Sequence, residues 1–174
     1  MHQFILNKMK TIALITALFT FSFIQAQQAF TGKGDDKFSV GVNIQNGGNA
    51  IQLASDFGLG ENFSYGFVGS YVLGFDRLNG GSKPAFKDRF DAKIRINANL
   101  GSVLQIDEKL DVYPGLSLGL KNFGGHVGMR YMFTNGFGLF SEAGFPIAKY
   151  QNNDRGYYNL NNQFTFSIGA VFSL

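Results

Sequence analysis

The ionisable side chains of this sequence sit at spaced positions inside greasy segments. "GMRYMFTNGFGLFSEAG", from Gly128 to Gly144, holds a positive charge at Arg130 and a negative charge at Glu142 among aromatics and glycines. Asp91, Lys93 and Arg95 occupy alternate positions of "FDAKIRINANL", and Asp56, Asp111 and Lys121 stand in similar apolar runs. Charges of both signs in such surroundings pair with one another where water is scarce. Asp56, Asp91, Lys93, Arg95, Asp111, Lys121, Arg130 and Glu142 are therefore expected to form one internal charge network.

Other chemistries find little footing. His126 is the one histidine beyond residue 26 and cysteine is absent, so a zinc site lacks ligands. "TGKGDDKF", at 31–38, joins glycines to acids without the spacing of a calcium or phosphate loop. "GFGLFSEAG" has no following helix whose N-terminus could hold a phosphate. No cofactor, metal ligand or catalytic residue is expected, and the chain reads as a non-enzyme.

The elements that position these charges repeat with period two, the mark of strands whose faces differ. Phe38, Val40, Val42 and Ile44 alternate with Ser39, Gly41, Asn43 and Gln45. Phe90, Ala92, Ile94 and Ile96 alternate with Asp91, Lys93, Arg95 and Asn97. The same rhythm marks segments near 51–59, 63–75, 110–120, 126–133, 137–147 and 164–174. "GGN", "GEN", "IDEK", "NFGG" and "TNG" read as turns between them. Eight strands joined by hairpins leave no room for crossover helices. The expected fold is all-β: an eight-stranded antiparallel up-and-down barrel, closed so that no edge remains.

The segment before the strands has another role. Lys8 and Lys10 precede the apolar run "IALITALFTFSFI" and the small-residue break "QAQQ", which together describe a secretory signal over 1–26. The run is shorter than the about 20 residues a spanning helix needs. Residues 27–36 are expected as a flexible lead-in and 37–174 as the barrel domain. Without the signal, 13 basic residues stand against 12 acidic ones, a net +1. Nucleic acid is therefore not an expected partner.

Glycine indicates which face lies inside. Gly41, Gly66, Gly128, Gly144 and Gly169 share the charged face. On a wet exterior they would only weaken the strands. In a narrow lumen they make room for long neighbours. Aromatics agree: Phe38, Phe63, Phe133, Phe137 and Phe172 mark one end of the apolar face, and Phe75, Phe90, Phe145 and Phe164 the other. Two aromatic girdles around an aliphatic band describe a transmembrane barrel. With Asn135 at the centre of the "TNG" hairpin, 130 faces 140 and 128 faces 142, which puts Glu142 diagonal to Arg130. That diagonal is short enough for the two to pair.

The stretch "GLSLGLKNFGGHVGMRYMFTNGFGLFSEAG" and the closing "FTFSIGAVFSL" resemble the small outer-membrane β-barrels of Gram-negative bacteria, the OmpA/OmpX-like type, and in detail the outer-membrane-barrel domain common in Bacteroidetes. Members usually end on an aromatic residue read by the assembly machinery. Here the last residue is Leu174, with Phe172 two before it. The resemblance implies an outer-membrane location, contact with outer-membrane lipid and with the barrel assembly machinery, and a structural or surface-interaction role. The loops 76–88 and 150–161, with Tyr150, Arg155, Tyr157 and Tyr158, are the expected contacts for an extracellular partner. An alternative is a soluble periplasmic or secreted barrel binding an apolar ligand. A third reading is a lipid A-modifying enzyme, since some such barrels use a His-x-Ser pair, but Gly128 stands two residues after His126.

Overall fold

A computed structural model describes residues 28–76, 83–151 and 157–174. The expected signal at 1–26 lies outside the described residues, as do Arg155 and parts of both long loops.

Eight strands follow one another around a closed barrel: β1 (Asp36–Gln45), β2 (Gly48–Gly58), β3 (Phe63–Phe75), β4 (Phe90–Ala98), β5 (Leu110–Gly119), β6 (Asn122–Thr134), β7 (Phe137–Lys149) and β8 (Thr165–Ser173). Each pairs antiparallel with its neighbours in sequence, and β1 pairs with β8 to close the ring. Two helical turns interrupt the connections, α1 (Phe86–Arg89) and α2 (Gly101–Leu104). The start of β1 and the end of β8 lie at one end of the barrel, here the terminal end, and both long loops lie at the far end.

The alternation separates two environments. Ile94, Leu118 and Phe166 are 52%, 51% and 40% exposed on the outer surface, whereas Arg95 and Arg130, on the opposite face, are 4% and 2% exposed. Rings of aromatics mark both ends. Tyr131, Phe133, Phe137 and Phe172 follow one another at centroid spacings of 5.5, 6.0 and 5.6 Å around the terminal end. Tyr71, Phe86 and Phe90 do so at 5.6 and 5.4 Å at the far end. The hairpin register is as the sequence predicts, with Arg130 facing Phe140 and Gly128 facing Glu142.

Three local expectations are corrected. The rhythm of "FDAKIRINANL" is expected to run on, less cleanly, through "GSVLQI", but β4 ends at Ala98 and "GSVL" forms α2, because the Asp111 carboxylate accepts the Gly101 N–H at 2.9 Å and turns the chain early. "NFGG" is not a turn but the start of β6, where a bulge at Phe123/Gly124 absorbs the irregularity. The lead-in, expected to be flexible, packs into the terminal mouth. Ala29 and Phe30 are 1% and 5% exposed, and the Ala29 N–H donates to the Glu108 carbonyl at 2.6 Å.

Among the described residues, the clustered apolar packing inside the barrel lies at its two ends, with Ala54 and Tyr113 buried singly between them. Ala29 joins Met132, Phe140 and Val171 at the terminal end, and Leu160 joins Ala50 and Val72 at the far end. Otherwise the interior between the ends is polar.

Candidate functional site in the lumen

The strand faces that point inward stack ionic and amide side chains in layers along the barrel axis. At the terminal mouth, the Lys37 ammonium pairs with Asp35 and donates to Ser173 Oγ at 2.6 Å, while Asp35 also accepts the Thr31 N–H at 2.7 Å. This layer fastens the lead-in to both seam strands. In the next layer Arg130 donates through Nε to Asp111 at 3.0 Å and through Nη2 to Asn99 at 2.5 Å. The Phe30 ring lies 5.7 Å from its guanidinium carbon.

Mid-barrel, Arg95 holds Asp56 with two parallel hydrogen bonds of 2.7 and 2.6 Å and Glu142 with a third of 2.7 Å. The planar fork of arginine suits such bidentate recognition. Asn97 donates to Asp56 at 3.1 Å and to Ser64 at 3.0 Å, and its carbonyl oxygen lies 2.7 Å from His126 Nε2. The Tyr113 ring sits between the two arginines, 4.6 Å from the Arg130 guanidinium carbon and 6.0 Å from that of Arg95. Its place exists because Gly128 lies beneath it: a Cβ at 128 would collide with the phenol ring. A Cβ at Gly41 would strike the Ile168 carbonyl oxygen and also press on the Phe140 ring. Lumenal glycine thus makes room for aromatic bulk at these positions as well as for charge.

Farther along, Asn43, Gln52 and Ser167 bond to one another, and Lys93 lies 3.7 Å from Asp91. Both Asp91 oxygens lack a hydrogen bond among the described residues. The far mouth is stoppered by the segment 157–162. Asn161, in the left-handed region at φ 59°, is bonded through its backbone and side chain alike. Its N–H donates to Gln45 Oε1 at 2.6 Å, its amide donates to the Arg89 carbonyl at 2.9 Å, and its side-chain oxygen accepts from Gln45 at 3.1 Å. Lys121 ties the same stopper to α1, donating to the Asp88 and Leu160 carbonyls at 2.5 and 2.9 Å. Burial holds the Lys121 ammonium below its ordinary pKa, against the raising influence of Asp91 and Asp88.

Of the eight residues expected in one network, the structure joins five: Asp56, Arg95, Asp111, Arg130 and Glu142, linked by the Arg130–Asp56 approach of 3.9 Å. Asp91 and Lys93 form a separate pair, and Lys121 serves backbone carbonyls. The expected Arg130–Glu142 partnership is corrected: Glu142 bonds Arg95, because β4 presents that guanidinium across the lumen, while β5 brings Asp111 directly opposite Arg130. Tyr150 and Tyr158 are exposed at the far rim, but Tyr157 turns inward and packs edge-on against Phe75 at 5.9 Å. The expected charge network leaves out Lys37, Asp35, Tyr113, Asn97, Asn99 and Asn161, although Asn97, Asn99 and Tyr113 fall on the charged face of their segments. Strand parity alone marks Lys37, Asn97 and Asn99 as inward, whereas Asp35 and Asn161 lie in irregular segments with no period to read.

The chemistry of the lumen is mutual neutralisation. A cavity of about 40 Å³ remains between Gln52, Lys93, Ser117 and His126, room for a few water molecules.

Comparison with solved structures returns a chain described as "De novo design of transmembrane beta-barrels", with a TM-score of 0.55 at 11% identity, covering 83% of this chain and 98% of that one. At that identity the likeness concerns the fold, an eight-stranded transmembrane-type barrel. No curated protein matches the sequence. A family profile matches residues 19–174, and the chain belongs to that family, DUF6646, a family of unknown function.

Proposed function

We propose that this chain is a non-enzymatic barrel of the bacterial outer membrane, with a structural or surface-interaction role and no large channel. The observation that carries the reading is the inversion of sides: a continuous apolar exterior between aromatic girdles surrounds a lumen of paired ions. A barrel carrying an apolar ligand in water needs the opposite arrangement. An eight-stranded lumen is just filled by side chains, whereas water-filled channels need about 16 strands. Here both mouths are stoppered as well, by 28–35 and by 157–162. The parts left to meet a partner are the exposed loop residues at the far rim, Tyr150 and Tyr158 among them.

Fractionation combined with surface labelling of the 76–88 and 150–161 loops tests this. The protein is expected in the outer-membrane fraction, dissolving only with detergent, with both loops labelled on whole cells. Recovery as a freely soluble periplasmic protein would sink the proposal. Liposomes containing the barrel are expected to show no porin-like swelling in sugars, and lipid A masses are expected to be unchanged when the gene is deleted.

A further inference from the structure

The outer wall of the barrel is not evenly upholstered. Gly69 stands on the outward face of β3, directly across from Ala92 on β4 and Leu53 on β2. A Cβ placed at Gly69 would meet nothing within 4 Å. The gap is a groove of about 520 Å³ walled by Leu53, Phe67, Ile94, Leu118 and Leu120. All five are exposed apolar side chains.

A second hollow of different chemistry adjoins the groove at one residue. Leu120 belongs to the walls of both. The second, of about 420 Å³ at the far rim, is lined by Lys87, Lys121, Tyr150 and Tyr158 above the stacked rings of Phe86 and Phe90. Its one lining carboxylate, Asp88, accepts the Ala85 N–H at 2.9 Å, and with Lys87 and Lys121 it leaves the lining a net charge of +1. Two ammonium groups and two phenols therefore cluster where an apolar trench reaches the aromatic girdle.

We propose that the joined hollows bind one phosphate-bearing anionic lipid, its acyl chain in the trench and its phosphate against Lys87 and Lys121. The inference rests on the membrane-facing reading of the exterior given above. Acyl chains fill any trench in a wall that faces hydrocarbon, so the trench alone selects no lipid. Selection comes from charge complementarity at headgroup height, where basic pockets beside aromatic anchors hold anionic heads. Lys121 is held in place by two carbonyls, and Lys87 is exposed and free to swing onto the head. Tyrosine hydroxyls supply further donors to phosphate oxygens.

Native mass spectrometry of the purified barrel, released from micelles doped with phosphatidylglycerol or with phosphatidylcholine of the same chains, tests the site. One phosphatidylglycerol is expected to be retained in preference to phosphatidylcholine by about fivefold. Lys87→Glu, an exposed change, is expected to erase the preference. Gly69→Phe fills the trench and is expected to lower retention of both lipids, with unchanged heat-induced gel mobility confirming the fold. Glycerol phosphate, a head without chains, is expected not to displace the bound lipid. Equal retention of the two lipids, or an unaltered preference in Lys87→Glu, overturns the site. A barrel that stays dissolved without detergent overturns instead the membrane reading beneath it.

Discussion

Arg95 and Ile96 are neighbours in β4, yet their side chains live in opposite solvents: one is 4% exposed among carboxylates, the other 61% exposed on the apolar wall. The comparison teaches that this fold has no single hydrophobic core. Its inner packing is electrostatic and depends on geometry, since a buried ion is tolerated only with its partner in place. Its outer packing is left to the surrounding medium and depends on composition alone. A substitution inside should therefore act through a named partner, and, on the membrane reading proposed above, one outside through the lipid.

The inner half of the comparison breaks most sharply at Arg95. Arg95→Ala strands Asp56 and Glu142 together, and a loss of about 3–5 kcal/mol is expected in urea-unfolding midpoints read by gel mobility. The outer half breaks at the next residue. Ile96→Arg is expected to cost about 2–4 kcal/mol when the barrel is folded into bilayers, and much less in detergent micelles, where the arginine finds water. Equal penalties in the two media would refute the assignment of that face. A double-mutant cycle sharpens the inner half: Arg95 and Glu142 are expected to couple by about 0.5–3 kcal/mol, and Arg130 with Glu142 by close to nothing. The smallest effect lies at the boundary between the two environments. Lys121 titrates below its ordinary 10.5 because burial disfavours the ammonium. The folded state therefore binds fewer protons than the unfolded one as pH approaches 10.5 from below, and stability contributed through this group rises with pH there. Lys121→Met is expected to flatten that rise in an alkaline series of unfolding curves.

Strand parity made much of this legible from sequence. One period-two rhythm, repeated eight times, points to the strands and to which face each charge takes, though not to where β4 ends or β6 begins. It also marks as inward the few apolar residues that share the charged face, Val72, Met132, Phe140 and Val171, which plug the ends of the lumen. Parity does not give partners across the barrel. Arg95 meets Glu142 from a strand that is not its neighbour, and that encounter depends on shear and side-chain reach rather than on order along the chain. Parity is also silent wherever the chain leaves the sheet. Asp35 and Asn161 owe their positions to turns, and α2 forms because Asp111, ten residues on, captures the Gly101 N–H.

The seam between β1 and β8 reaches further than stability. Lys37 and Ser173 touch across it although 136 residues separate them, so during biosynthesis every earlier hairpin waits with two naked borders until the last strand arrives. Two open borders expose an unclosed chain to aggregation, and a chain deprived of residues 165–173 is expected to be a substrate for proteases rather than a smaller barrel.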